Sequence, residues 1–296
     1  MMAWLRLVRL PTVFTAMADI FLGFLLVSGG AFEPVGSFAL LLVASSGLYL
    51  SGMVFNDVFD LAKDTAERPH RPIPSGAISL KAAWVLGLSL MAIGVLCAAL
   101  AGTSSLIVAG CIVVAVFAYD WLLKNTIAAP LAMGSCRLLN VLLGASTAAT
   151  ADEWLRGPAM LVACCLGTYI AGLTWFARKE VIGENRRDLV GGTIVMVAAV
   201  VALIAIVAVK ANGGKNSTSV LILLGFTAIV IRSRLWKAVR SGLPIDIGSG
   251  IRTALLSLVL IDATLVLAFT ESIPGAVATA LLLVPASVIR RWIPLT

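Results

Sequence analysis

The chain has 296 residues, of which 60% are hydrophobic and 12% charged, with a formal net charge of +7 and a mean hydropathy of +1.04. That balance excludes an ordinary water-soluble domain and makes lipid the solvent to reason with. A single histidine, His70, excludes a multi-histidine metal centre, so a metal has to be held by oxygen ligands.

A helix needs about 20 apolar residues to cross ~30 Å of hydrocarbon. Ten such stretches are predicted, running as Leu10–Gly29, Phe38–Phe55, Ala82–Ala101, Leu106–Trp121, Leu131–Ala149, Pro158–Phe176, Gly191–Val209, Ser219–Leu235, Thr253–Phe269 and Gly275–Ile289. The expected fold is all-α, a polytopic membrane bundle of nine or ten transmembrane helices forming one domain over 1–296. The first stretch follows Arg6 and Arg9 as a signal peptide would, but its apolar run is long and no A-x-A site follows, so a retained helix is expected. Cys97, Cys111, Cys136, Cys164 and Cys165 all fall inside apolar stretches without C-x-x-C spacing, which reads as small core residues.

Of the 22 Lys and Arg residues, only Arg156, Lys210 and Lys215 lie in odd-numbered connections. The positive-inside rule then puts both termini and the even-numbered connections in the cytoplasm, with the plasma (inner) membrane as the expected location. The positive charge is accounted for by topology and by attraction to anionic lipid, and no nucleic-acid partner is expected.

Where the second stretch emerges, Asn56, Asp60 and Asp64 recur every four residues with Asp57 beside them. A continuing helix would place the three on one face. Carboxylates so close repel one another unless a divalent cation lies between them; the plainer reading is a solvated acidic helix end. A second stripe, Glu180, Glu184 and Asp188, follows the sixth stretch, each member 124 residues after its counterpart. That offset predicts two similar four-helix halves, about 1–125 and 126–240, followed by helices within 245–291. Both stripes fall on the cytoplasmic side. Together they could share Mg²⁺, which takes one or two carboxylates per ion and leaves room for water and phosphate oxygens.

The basic residues suit an anionic substrate. Arg68 and Arg71 lie in Glu67-Arg68-Pro69-His70-Arg71-Pro72-Ile73-Pro74, where three prolines fix the backbone beside the first stripe. Arg178 and Lys179 adjoin the second stripe, and Lys124 follows the fourth stretch in Tyr119-Asp120-Trp121-Leu122-Leu123-Lys124. Inside the apolar stretches stand Asp19, Arg137, Asn140 and Asp262. A charge there costs at least ~2.5 kcal/mol, so each is expected to face the bundle interior. Arg137 and Asn140, three apart, share a helix face as cavity candidates, while Asp19 and Asp262 are expected to pair with Arg137 or to bind an acceptor hydroxyl. The plainer alternative is a polar lock between helices.

The pattern Asn56-Asp57-x2-Asp60-x3-Asp64 followed by Arg68, Arg71-Pro72 and Gly76 resembles the signature of the UbiA superfamily of intramembrane prenyltransferases. The stretches Leu10-Pro11-Thr12-Val13-Phe14-Thr15, Tyr119-Asp120 and Met133-Gly134-Ser135-Cys136-Arg137-x2-Asn140 resemble its EboC-like branch. The resemblance implies a bundle like that of soluble isoprenyl synthases, with Mg²⁺-bound diphosphate under a cytoplasmic cap and the isoprenoid in a lipid-open groove. It makes Asn56, Asp57, Asp60, Asp64, Glu180, Glu184 and Asp188 the metal-site candidates, with Asp60, Asp64, Glu184 and Asp188 at the chemistry. It adds Tyr119 to the pocket candidates. Two departures stand out: Glu180 and Glu184 replace the aspartates of well-studied members, and Tyr119-x4-Lys124 replaces the usual Tyr-x3-Lys.

The implied activity is Mg²⁺-dependent transfer of a prenyl chain from a prenyl diphosphate to a lipophilic, aromatic acceptor. A non-catalytic isoprenoid-diphosphate carrier keeps the same site without turnover. An ion-coupled transporter ranks third, because it calls for carboxylates near the bilayer midplane.

Overall fold

The computed structural model describes residues 2–148, 150, 154–178, 186–210 and 217–293, and every regular element among them is helical. The short helix α1 (Met2–Leu7) and a 3-10 turn (Leu10–Thr12) lead into α2 (Val13–Val27), α3 (Val35–Phe59) and the short α4 (Leu61–Glu67). Next come α5 (Leu80–Ala101) and α6 (Thr103–Phe117), the latter running on as a π-helical turn (Ala118–Leu123), then α7 (Ala129–Ala145) and α8 (Pro158–Phe176). The chain continues as α9 (Arg186–Lys210), α10 (Ser217–Ser241), α11 (Pro244–Thr270), α12 (Ile273–Leu281) and α13 (Leu283–Ile289).

Local sequence sets these boundaries. Ser79 caps α5 by accepting from Ala82 N–H at 3.2 Å. A single residue, Gly102, separates α5 from α6 at φ 153°, a backbone setting that favours glycine. Proline opens α7, α8, α11 and α12, where a missing N–H costs nothing.

Eight helices are long and apolar enough to cross a membrane, and α7 is shorter at 17 residues. The tenth expected stretch, Gly275–Ile289, is not one helix: it breaks at Leu282 into α12 and α13. Pro285 explains the break, since it has no N–H for the carbonyl of Leu281. Conversely, α10 runs on to Ser241 and α11 begins at Pro244, beyond the apolar limits read from sequence. Arg232, Arg234, Lys237 and Arg240 extend α10 as a charged end of the same helix.

The spanning helices pack in chain order, α2–α3–α5–α6–α7–α8–α9–α10–α11, and α11 closes onto α2. Large side chains such as Phe24, Phe55, Tyr169 and Phe176 are buried, while Val85, Leu96, Val114, Ile222 and Ile229 stand exposed on the outside. An apolar exterior is what lipid requires, and helix association must then rest on close packing. The closest approach is α2 on α7, where a Cβ on Gly23 would lie 2.1 Å from the Val141 carbonyl oxygen and one on Gly144 2.8 Å from that of Ile20. This contact fixes the register that sets Asp19 beside Arg137 and Asn140.

Candidate active site

The ring encloses a cavity of about 810 Å³. Residues three or four apart present one face of each helix to it: Thr12, Thr15, Ala16 and Asp19 from the N-terminal part of the bundle, and Tyr49, Gly52, Met53 and Asn56 from α3. Met133, Cys136, Arg137 and Asn140 do the same from α7. One end is charged, lined by Arg9, Asp60, Lys63, Asp120, Lys124, Arg178 and Asp188. The walls between are largely apolar, with Leu48, Ile112, Val116, Ile170, Leu173, Ile251 and Leu255.

The first acidic stripe is divided, unlike the single face expected from its spacing. Helix α3 ends at Phe59, and Asp60, at φ −84° and ψ 2°, leaves the helix before α4 resumes. Asn56 and Asp60 line the cavity, whereas Asp57 and Asp64 are 4% and 3% exposed and do not. Arg71 Nη1 donates to Asp64 Oδ2 at 2.6 Å and to Asp57 Oδ1 at 3.3 Å. Arg9 Nη2 reaches Asp57 Oδ1 at 2.8 Å from the other side. Buried carboxylates need such partners, and their demand draws Arg71 off the cavity wall. Neither Arg68 nor Arg71 lines the cavity. In place of a diphosphate contact, Arg71 locks α3 to α4.

At the mouth, Lys124 Nζ pairs with Asp60 Oδ2 and lies 5.9 Å from the Tyr119 ring centroid. Lys124 N–H donates to the Tyr119 carbonyl at 2.9 Å, a five-residue step made by the π-helical turn. The extra residue in Tyr119-x4-Lys124 is absorbed there, so both side chains face the cavity. Asn56 Nδ2 donates to Asp120 Oδ1 at 2.9 Å, tying the end of α3 to the π turn. Across the mouth, Arg178 Nη2 donates to the Thr126 carbonyl at 2.8 Å and Trp175 Nε1 to Asp188 Oδ1 at 3.1 Å. Lys179, Glu180 and Glu184 lie outside the described residues.

Sequence reasoning missed Asp120 and Arg9 as site residues. Asp120 is 8% exposed and lines the cavity. Its signal was an acidic residue ending an apolar stretch on the same side as both stripes; Arg9 read only as a topology charge.

The deep end is polar. Arg137 Nη2 lies 2.8 Å from Asp19 Oδ1 and 3.8 Å from Asp262 Oδ2, and Arg137 donates to the Thr15 carbonyl at 2.9 Å and to Thr15 Oγ1 at 3.2 Å. Asn140 Nδ2 donates to Asp19 Oδ2 at 2.7 Å and to the Ala16 carbonyl at 2.9 Å, and its Oδ1 accepts from Ser45 at 2.7 Å. Asp19, Arg137 and Asn140 line the cavity; Asp262 stands behind them.

Among the described residues no three acidic, cysteine or histidine side chains converge as a complete metal cage. Asn56, Asp60, Asp120 and Asp188 nonetheless bring hard oxygen donors to one mouth. Mg²⁺ asks for only one or two carboxylates when phosphate and water complete its shell, so this donor set fits it.

A ring of membrane helices around a cavity with a charged mouth and apolar walls defines an intramembrane bundle that can hold an anionic head group and a hydrocarbon tail together. The chain belongs to the UbiA prenyltransferase family, whose sequence profile matches residues 16–241, and it is an integral membrane protein. It is 37% identical over 123 residues to the digeranylgeranylglyceryl phosphate synthase of Metallosphaera sedula, covering 42% of this chain and 43% of that protein. To the same-named protein of Saccharolobus solfataricus it is 31% identical over 154 residues, 52% of this chain and 54% of that one. The chain thus spans about half the length of the curated relatives it matches. The solved UbiA homologue of Aeropyrum pernix superposes with a TM-score of 0.69 at 21% identity, covering 86% of this chain and 96% of that one. The Archaeoglobus fulgidus homologue, solved with GPP and Mg²⁺, gives 0.60 at 14% identity over 89% of this chain and 99% of that one. These likenesses show a shared fold.

Proposed function

We propose that the protein transfers a prenyl group from a prenyl diphosphate to a lipophilic acceptor within the bilayer, with the cavity mouth facing the cytoplasm. The single observation that carries this reading is the joining, in one cavity, of oxygen donors and cations at the mouth to apolar walls below. Basic residues concentrated on the mouth side support the orientation. The two carboxylate stripes, 124 residues apart, support two duplicated halves, 1–125 and 126–240.

Asn56, Asp60, Asp120 and Asp188 would hold Mg²⁺, with Glu180 and Glu184 as further candidates; the ion would supply positive charge to the diphosphate. Lys124 and Arg178, with Lys63 and Arg9 beside them, present cations to the same oxygens and favour departure of the diphosphate as the allylic C1–O bond breaks. The apolar walls keep water from the carbocation that this leaves. An electron pair of the acceptor then bonds to C1, and the acceptor's proton passes to a carboxylate or to the released diphosphate. No Ser–His or Cys–His pair is needed, since no covalent enzyme intermediate forms.

In its finer form this reading makes the acceptor aromatic. The relatives are named for a glyceryl phosphate product, which makes an anionic glycerol phosphate the competing acceptor. Purified protein with Mg²⁺, labelled prenyl diphosphates and both kinds of acceptor tests the proposal. Diphosphate release with a prenylated product supports it; saturable donor binding without turnover points to a carrier, and no donor binding overturns it.

A further inference from the structure

We propose that the deep end of the cavity is the acceptor's polar subsite, and that it takes an uncharged hydroxyl group rather than an anion. This rests on the prenyl-transfer reading for the identity of the ligand as acceptor, while the subsite itself rests on geometry.

Among buried side-chain atoms, Arg137 Nε is a donor without an acceptor, and Asp19 Oδ1 accepts no hydrogen bond although Arg137 Nη2 lies 2.8 Å away. Both residues line the cavity, and they are 7% and 0% exposed. Buried polar groups are rarely left unsatisfied, so such a pair on a cavity wall marks a place for a ligand atom. The two atoms want opposite things: Arg137 Nε needs an acceptor and Asp19 Oδ1 needs a donor. A hydroxyl is both at once.

Charge excludes the alternative. One guanidinium faces two carboxyl groups, Asp19 and Asp262. The guanidinium is already committed to the Thr15 carbonyl, Thr15 Oγ1 and Asp19. A phosphate or carboxylate entering here would meet no surplus positive charge and would approach Asp19 directly. The cations that could receive an anion, Lys124, Lys63, Arg178 and Arg9, stand at the mouth where the diphosphate belongs. From Thr12 to Asp19 the cavity face of α2 climbs about 10 Å at 1.5 Å per residue, so the two polar ends are separate sites.

The test uses ligands that differ only in an anionic group: a 1-O-alkylglycerol against its 3-phosphate, and hydroquinone against 4-hydroxybenzoate. Wild-type protein in detergent is assayed for ligand-induced thermal stabilisation and, with Mg²⁺ and labelled geranyl diphosphate, for product. The neutral member of each pair is expected to bind at least tenfold more tightly and to be the better acceptor. Asp19→Asn is expected to raise the KM or Kd of the neutral ligand about tenfold while geranyl diphosphate binding remains, which also shows that the variant folds. A preference for the anionic member in wild type overturns the subsite, as does an Asp19→Asn protein whose neutral-ligand affinity is unchanged, the result expected if only water occupies it. Neutral-ligand binding without any product would sink prenyl transfer and leave the hydroxyl subsite standing.

Discussion

Lys124 N–H bonds to the Tyr119 carbonyl at 2.9 Å, closing a π-helical turn over Ala118–Leu123 that carries Asp120 and Lys124 into the cavity mouth. A π turn holds one residue more than an α turn and restores the helical phase beyond it. Deleting Leu122, which is 61% exposed, is therefore expected to convert the turn to α-helix and leave Mg²⁺-dependent prenyl diphosphate affinity within about threefold of wild type. Inserting an alanine at the same place rotates Lys124 away and is expected to lower that affinity at least tenfold. Isothermal titration calorimetry on both variants checks the pair; equal loss in both would refute the phase account.

The division of the first stripe predicts that neighbouring aspartates fail differently. Asp60 faces the cavity, so Asp60→Ala is expected to remove Mg²⁺-dependent diphosphate binding with little change in melting temperature. Asp64 is 3% exposed and takes the short bond from Arg71. Its loss leaves that guanidinium with Asp57 alone, at about 1–3 kcal/mol for a buried hydrogen-bonded charge. Asp64→Ala is thus expected to melt several degrees lower in detergent. Thermal unfolding beside donor titration separates the two, and identical behaviour would return Asp64 to the metal site.

The spanning helices were legible because an apolar run of sufficient length has few alternatives in lipid. Pro285 could have been read as the break in the last stretch, but apolar length alone concealed it. The splitting of Asn56, Asp60 and Asp64 was not legible: a four-residue period assumes a straight helix, and nothing local announces that Asp60 leaves it. Nor could spacing reveal that Asp57 is claimed by Arg9, 48 positions away. The deep cluster lay between these cases. The cost of a charge in hydrocarbon put Arg137 and Asp19 in the interior, yet their meeting depends on the α2–α7 register.

That register makes Gly23 a position where one methyl group should matter. Its Cβ would lie 2.1 Å from the Val141 carbonyl oxygen, and backbone cannot yield as a flexible side chain would. Gly23→Ala is expected to part α2 from α7 and cost about 1–3 kcal/mol, the range for overpacking. Gly225, in α10 with no atom within 4 Å of its Cβ position, is the control: Gly225→Ala is expected to be neutral or stabilising by up to about 1 kcal/mol. Because Asp19 lies one helical turn from Gly23, the first variant should also weaken neutral-acceptor binding. Thermal melting and acceptor titration of both proteins measure this; unaltered melting in Gly23→Ala would mean the helices separate freely.

The mouth holds no complete carboxylate cage, so metal and diphosphate should bind as a pair. Asn56, Asp60, Asp120 and Asp188 offer oxygens for part of an octahedral shell, and the phosphates must supply the rest. Mg²⁺ alone is accordingly expected to bind weakly, and chelation by EDTA to lower geranyl diphosphate affinity at least tenfold, with Mg²⁺ restoring it. Asp120→Asn keeps an oxygen and the size of the side chain but removes the charge, so it should raise the Mg²⁺ concentration needed for half-maximal donor binding without abolishing saturation. Asp120→Ala also removes the acceptor of the Asn56 amide and should be the more severe of the two. Titrating Mg²⁺ at fixed donor, then donor at fixed Mg²⁺, reads both. Donor affinity indifferent to EDTA would show that the cations at the mouth hold the diphosphate unaided, leaving Asn56 and Asp120 as a helix tie.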